Sequence, residues 1–460
     1  MNKPSSDQRP YYWYPIIGIL ITNFAYQPGF FSPDSLVIYQ QAITHQYGDW
    51  HPPAMAWLWS LLNKLSTNPK NMLLLQLGLL WGSYAMLAAS WFSSHRSRFL
   101  LFLVFLLAPF IQNFAGFIIK DAQMALCWLL AVCIIADASY HKRRMGWFAG
   151  PLSLLLILYG TLVRINALPG ALFLFFYWAD NYFPWRQYRV RTVTTIVLLV
   201  LLVFGAQYLL MQSLKPQKEY PEYKLYLHDI AGIYVKSGQD HFPAFVKAHP
   251  GFDTAYLKAN YTTATLDNLY WNEEHKFSFP ALDEATEPLI RKAWKESITA
   301  HPGTYLANHW DGFLYFLRIK KRTWFVTQHA LVTTNDFGIS YKPDLFGRFL
   351  IKAVKIHSGL PWMRPWFWLL MNLVMLFAGY RMAAGVARKA ILVLTGSSLA
   401  YLLAQFFIFQ VDTEFRYFYW NCLAVFVSML IWGKVWWDGR KSRSANPGIA
   451  SVDSAVIPAG

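Results

Sequence analysis

The residues most able to do chemistry stand in separate stretches of the chain. They are Asp34, Asp49 and His51; the pair Lys120-Asp121; Arg164; and Arg416, which follows Asp412 and Glu414. Each set lies at the end of a long apolar run, so stretches distant in sequence can meet on one side. Carboxylates beside fixed cations suit a site that takes a proton from one reactant and holds an anionic group of another. Simpler readings exist for most of them. Asp34 follows Pro33 and can cap a helix that includes Leu36, Ile38 and Tyr39. Asp49 precedes His51-Pro52-Pro53 and can sit near a helix N-terminus with proline in the first turn. Lys120-Asp121 can be a surface ion pair of little worth. Arg164 is harder to dismiss, because a lone cation between two apolar runs needs an anionic partner.

Other chemistries find less support. His228, His241, His249, His275, His301 and His309 fall in one stretch, but none of the spacings suits a metal site. The residues call for no cofactor and leave a divalent metal open. The apolar runs are nearly free of ionisable residues. Asp137 and Asp180 come closest, and both lie near run ends. A proton-coupled transporter usually needs such groups near midplane.

The elements that must position these residues follow from composition. The chain has 460 residues, 55% hydrophobic and 18% aromatic, and 14% charged. An ordinary soluble chain carries about 25% charged residues. The mean hydropathy is +0.25, and the net charge is +16. The excess cations cluster in short loops, among them Lys142 to Arg144, Arg186 to Arg191 and Arg381 to Lys389. These loops recur at every second turn of the chain. That is the positive-inside pattern of a multi-pass membrane protein, and it argues against nucleic acid as a partner.

Apolar length, at roughly 20 residues per crossing, places ten spans. They lie near 12–28, 70–92, 99–114, 122–139, 146–163, 165–182, 192–211, 366–383, 390–409 and 417–436. The fold class expected is an all-α polytopic membrane protein of about ten helices. Both termini and every basic cluster then fall in the cytoplasm. The N-terminal module covers 1–211 with a first outer loop at 29–69. An extracytoplasmic domain covers 212–365, the last helices cover 366–436, and a cytoplasmic tail covers 437–460. Within the first outer loop, Pro52 to Leu65 reads as a helix lying at the interface.

The large domain reads as mostly helical. Residues 286–300 carry an apolar stripe of Ile290, Trp294 and Ile298. Residues 304–317 place Leu306, Trp310, Phe313 and Leu317 on one face. Residues 325–344 read as a loop. Residues 345–357 read as an amphipathic helix on the outer membrane face.

In order along the chain come an outer loop with Asp34, the entry Asp49-Trp50-His51-Pro52-Pro53, the pair Lys120-Asp121, Arg164-Ile165-Asn166-Ala167, and Glu414-Phe415-Arg416-Tyr417. This ordered set resembles the C-type membrane glycosyltransferases (GT-C). The likeness is strongest to bacterial relatives of the dolichyl-phosphate-mannose–protein mannosyltransferase and aminoarabinose transferase group. It runs through most of the membrane portion and touches the large loop between Trp294 and Phe313.

The resemblance implies a polyprenyl-phosphate-linked sugar as donor and a glycan, lipid or protein hydroxyl as acceptor, on the outer face of a bacterial cytoplasmic (inner) membrane. It makes Asp34 the general base, with Asp49 as rival. The family often carries an adjacent acidic pair in that loop, whereas Ser35 follows Asp34 here. It assigns Lys120, Arg164 and Arg416 to the donor phosphate, with Asp121 among them, and His51 to sugar or phosphate. Inversion at the anomeric carbon is expected. Two other readings remain: an O-antigen polymerase or ligase type of enzyme, and a flippase or transporter of lipid-linked sugar.

Overall fold

The structure is a computed structural model and describes residues 12–270, 283–321, 327–407 and 413–445. Among these residues the secondary structure is helical. Three isolated bridges, Phe30 to Phe117, Phe31 to Val332 and Gly48 to Gln217, are the only strand-like pairings.

The first module runs α1 (Trp13–Tyr26), α2 (Pro33–Thr44), α3 (Ala54–Asn63), α4 (Lys70–Trp91), α5 (His95–Leu107), α6 (Pro109–Ala115), α7 (Lys120–Tyr140), α8 (Ala149–Leu162), α9 (Leu168–Tyr182) and α10 (Arg189–Leu214). A second set follows: α11 (Glu222–Ser237), α12 (Ala244–Lys247), α13 (Thr254–Asn260), α14 (Asp267–Tyr270), α15 (Glu287–Ala300) and α16 (Pro302–Phe316). The chain then returns through α17 (Leu345–His357), α18 (Pro365–Arg381), α19 (Val386–Phe406) and α20 (Tyr419–Ala445).

Helices occupy all ten apolar runs, but their lengths differ. Four of them (α4, α7, α10 and α19) and the stretch Phe415–Arg440 are long and apolar enough to cross a membrane. The pair α5 and α6, bent by 57°, makes a sixth crossing if counted as one. Pro109 opens α6 and interrupts the helical hydrogen bonding there, which accounts for the bend. The others fall short. At 14 residues α1 and α8 reach only about 21 Å, against about 30 Å of hydrocarbon. The helices thus suit a helical membrane protein, with five to six candidate crossings among the described residues by length and composition.

The long helices divide by burial. In α7, 89% of the apolar window is covered by neighbours, whereas in α10 only 11% is. Val197, Leu198, Leu201 and Phe204 of α10 face outward. An apolar helix with so little protein around it has the surface of one that meets lipid. The central helix α7 is packed against α4, α8, α9 and α20, so Lys120 and Asp121 at its start are held by the core of the bundle.

A second apolar core sits under α11 to α15, with Leu227, Ile230, Leu257, Leu269 and Ile290 at its centre. The helices α15 and α16 fall where the sequence expects them. The expected apolar face of α16 is corrected, however. Phe313 and Leu317 of that face do pack on the core, but Leu306 and Trp310 are exposed, while Asn308, His309 and Phe316 are buried. The reason is Asp229, buried on α11, which needs donors. His309 Nε2 lies 3.2 Å from its Oδ1, and Trp294 Nε1 donates to its Oδ2 at 2.8 Å. His309 Nδ1 also meets the Phe406 carbonyl at 2.9 Å and so ties this core to the end of α19.

Amphipathic α17 is present at its expected place. Leu350 and Val354 are buried, with Leu345, Phe349 and Ile356 exposed. It packs on α1 and α6.

Candidate functional site

The site is built on a short extended segment. Phe30 N–H donates to the Gly116 carbonyl at 2.8 Å, Ile118 N–H to the Phe30 carbonyl at 3.1 Å, Phe31 N–H to the Leu331 carbonyl at 2.9 Å and Thr333 N–H to the Phe31 carbonyl at 2.9 Å. The segment between α1 and α2 is therefore stitched between the loop before α7 and the stretch 327–344. α2 begins directly after it.

Asp34 does not cap α2. Ser32 does, in a reciprocal capping box with Ser35, and Pro33 fills the first helical position. The capping role open to Asp34 on spacing alone is thus taken, which leaves its carboxylate free for other partners in the first turn, where the helix dipole favours an anion. Ser35, the residue that stands where a second acid was expected, is the other half of that box.

Three chain-distant segments meet at Asp34. Arg416 Nη1 donates to its Oδ2 at 3.0 Å, and His51 Nε2 faces its Oδ1 at 3.7 Å. Lys120 Nζ lies 2.8 Å from His51 Nδ1. Lysine only donates, so Nδ1 accepts and the proton of the neutral ring sits on Nε2, toward Asp34. The line continues on the other side. Arg416 Nε lies 2.5 Å from Glu414 Oε2, which is also 3.1 Å from His329 Nε2. His329 stacks on Phe117. Glu414, Arg416, Asp34, His51 and Lys120 form one continuous chain of contacts.

The electrostatics follow from burial and charge. Burial alone would raise the Asp34 carboxyl; the hydrogen bond from His51 and the charges of Arg416, His51 and Lys120 outweigh it and hold Asp34 well below the carboxylate range. Asp34 is ionised at neutral pH. Burial pushes His51 down to about 4, and the Lys120 charge pushes the same way against the pull of Asp34. His51 is neutral at neutral pH.

Arg164 and Asp121 form a separate pair beside this chain. Arg164 is ion-paired with Asp121, and the two side chains are 9% and 1% exposed. The anionic partner that Arg164 requires is therefore a carboxylate of the protein. Lys120 and Asp121 do not pair as neighbours, because they serve His51 and Arg164 respectively. Tyr417 links the two halves: the guanidinium carbons of Arg164 and Arg416 lie 4.7 Å and 5.0 Å from its ring centre.

The cations are not equivalent. Arg164 is committed to Asp121, and Arg416 to Asp34 and Glu414. Lys120 makes its polar contact with a neutral imidazole and has no carboxylate within ion-pair distance among the described residues. It is half-buried, and the Asp34 side chain is 32% exposed. A cation without a direct carboxylate partner and an accessible carboxylate thus flank His51.

Asp49 lies apart. Its Oδ1 accepts the Glu219 amide at 2.7 Å, and its own amide donates to the Gln217 carbonyl at 3.1 Å. It does not cap α3, whose first residues have no side-chain cap. It pins the chain where it leaves α10, beside a cleft of about 240 Å³ lined by Pro52, Pro53 and Met211.

His329 carried no sequence signal, because its partner Glu414 is 85 residues away. Asp412 lies outside the described residues. Among the described residues no three His, Cys, Asp or Glu gather closely enough to hold a metal ion. No family model, curated protein or solved structure matches this chain.

Proposed function

We propose that the chain is an inverting glycosyltransferase that moves a sugar from a polyprenyl-phosphate carrier to an acceptor hydroxyl at the outer face of a bacterial cytoplasmic membrane. The single observation that carries the reading is the line Lys120–His51–Asp34–Arg416, assembled from the first turns of α2 and α7 and the segments before α3 and α20. The ordered resemblance in the same loops supports it.

In this reading all ten apolar runs cross or enter the membrane, with the bilayer thinning locally around the short ones. The basic loops and both termini are cytoplasmic, and α11 to α16 lie in the periplasm. Carboxylate and phosphate chemistry then share one outer face, and the carrier's isoprenoid tail stays in lipid.

The chemistry needs one base and one anion holder. Asp34 accepts the proton of the acceptor hydroxyl as its oxygen attacks the anomeric carbon. The bond from that carbon to the phosphate oxygen breaks on the opposite face, and polyprenyl phosphate leaves with the bonding pair. Negative charge grows on the leaving phosphate, so a cation there helps the transition state more than the ground state. Lys120 is the cation with no carboxylate to compete, and it takes that role. Arg416 holds Asp34 and closes the anionic side of the site. Arg164 with Asp121 acts as a support beneath Lys120 and Tyr417. His51 relays between the base and Lys120.

The reading is tested by complementation of a deletion strain, with the mobility of surface glycans and glycoproteins as readout. Asp34→Asn and Lys120→Met abolish the modification at normal membrane levels, while Asp49→Asn retains it. A flippase would keep working with Asp34→Asn, so a modification that survives that change removes the transferase reading.

A further inference from the structure

A second cavity, of about 890 Å³, opens at the other end of the bundle, between the end of α9, the turn at 184–186 and the start of α19. Its inner wall is apolar, formed by Leu172, Phe173 and Phe176 of α9 with Leu392 and Val393 of α19. Its rim carries Arg186, Arg388, Lys389 and Asp180. The one carboxylate is already committed: Asp180 Oδ1 accepts the Trp185 amide at 2.7 Å, and Oδ2 pairs with Lys389. Among the described residues Arg186 and Arg388 have no carboxylate partner.

The helix start adds to this. α19 follows Gly385 with no side-chain cap, so its first N–H groups have no acceptor from a cap. Arg388 and Lys389 stand in that first turn, where cations oppose the helix dipole. An anion at the rim would satisfy the free N–H groups and both arginines together.

The depth of the cavity identifies the source of that anion. α7 runs from Lys120 at the candidate site to Ser139, which lines this cavity. Nineteen steps along a helix rise about 28 Å, close to the roughly 30 Å thickness of a hydrocarbon core. The rim therefore lies at the headgroup level of the leaflet opposite the candidate site, with the apolar wall reaching toward the acyl chains. The volume lies within the roughly 300–1,000 Å³ range of ligand cavities.

We propose that this cavity is a binding site for an anionic phospholipid of that leaflet. The phosphate sits against Arg186, Arg388 and the start of α19, and an acyl chain lies along Phe176 and Leu392. The proposal rests on the membrane character of the bundle and is independent of the transferase reading.

The test is native mass spectrometry of the full chain released from detergent, with phosphatidylglycerol, phosphatidylcholine or inorganic phosphate added. Wild type retains phosphatidylglycerol in preference to phosphatidylcholine, and inorganic phosphate does not displace it. The double variant Arg186→Gln with Arg388→Gln weakens phosphatidylglycerol about 30-fold, at about 1 kcal/mol per cation. Leu392→Trp, which fills the apolar wall, weakens it as well and leaves the rim charges unchanged. Equal retention of both lipids by wild type, or unchanged retention by the double variant, overturns the site. Displacement by inorganic phosphate alone overturns the lipid as its occupant.

Discussion

Asp34 and Asp121 are both acidic residues at helix starts, yet their surroundings give them different work. Asp121 is 1% exposed and paired with Arg164 inside the bundle. Removing one partner of such a pair strands the other charge, at a cost of about 3–5 kcal/mol. Asp121→Asn is therefore expected to lower thermal stability in detergent strongly, whereas Asp34→Asn lowers it little, because Asp34 is partly solvated. Equal losses in the two variants would contradict this division.

The same environment sets a pH profile. The active state needs Asp34 ionised and His51 neutral. Asp34 is held well below the carboxylate range, and His51 is pushed down to about 4. Both groups keep their active form as pH falls from 7 to about 5, and the rate drops only below that. A fall centred near 6.5, the ordinary histidine value, would show that His51 is not neutral in the working site.

At the scale of elements, the site depends on how α2 begins. Ser32 and Ser35 cap the helix and free Asp34. Ser32→Ala is expected to cost about 1 kcal/mol and to reduce transfer, measured by chemical denaturation and by complementation. Unchanged transfer would mean that the first turn of α2 need not be fixed. Much of this was legible from sequence: proline before an acid marked the helix start, and apolar length marked the ten long runs, whereas α11 to α14, which carry no such run, were not marked. The identity of the cap was not, because Ser32, Asp34 and Ser35 are all competent caps, and only the path of Gly29 to Phe31 between two other loops decides among them. The pairing of Arg164 was half legible. A cation between apolar runs requires an anion, but nothing local tells a carboxylate from a ligand. For α16 the apolar period gave the right helix and half of its face: Phe313 and Leu317 pack on the core, whereas a buried Asp229 outweighs Leu306 and Trp310.

At the scale of the molecule, two cores meet along α16, whose end packs into the larger one. His309 touches Asp229 in one core and the Phe406 carbonyl at the end of α19 in the other. His309→Ala leaves the buried Asp229 short of a donor and cuts that link, at a cost of about 2 kcal/mol or more. It is expected to separate the unfolding of α11–α16 from that of the bundle in a thermal melt. A single unshifted transition would place the join elsewhere. The ten-run pattern of hydropathy was legible at this scale, but the number of crossings was not, because four of the helices are too short to decide it by length.

The most direct measurement reconstitutes the purified chain in vesicles containing a polyprenyl-phosphate-sugar extract and a mixture of cell-envelope acceptors. It follows the release of free polyprenyl phosphate for wild type and Asp34→Asn. The expected result is release by wild type and none above background by Asp34→Asn, with both proteins folded to the same melting point. Release by Asp34→Asn at the wild-type rate would contradict the central claim that Asp34 is the base of a glycosyl transfer.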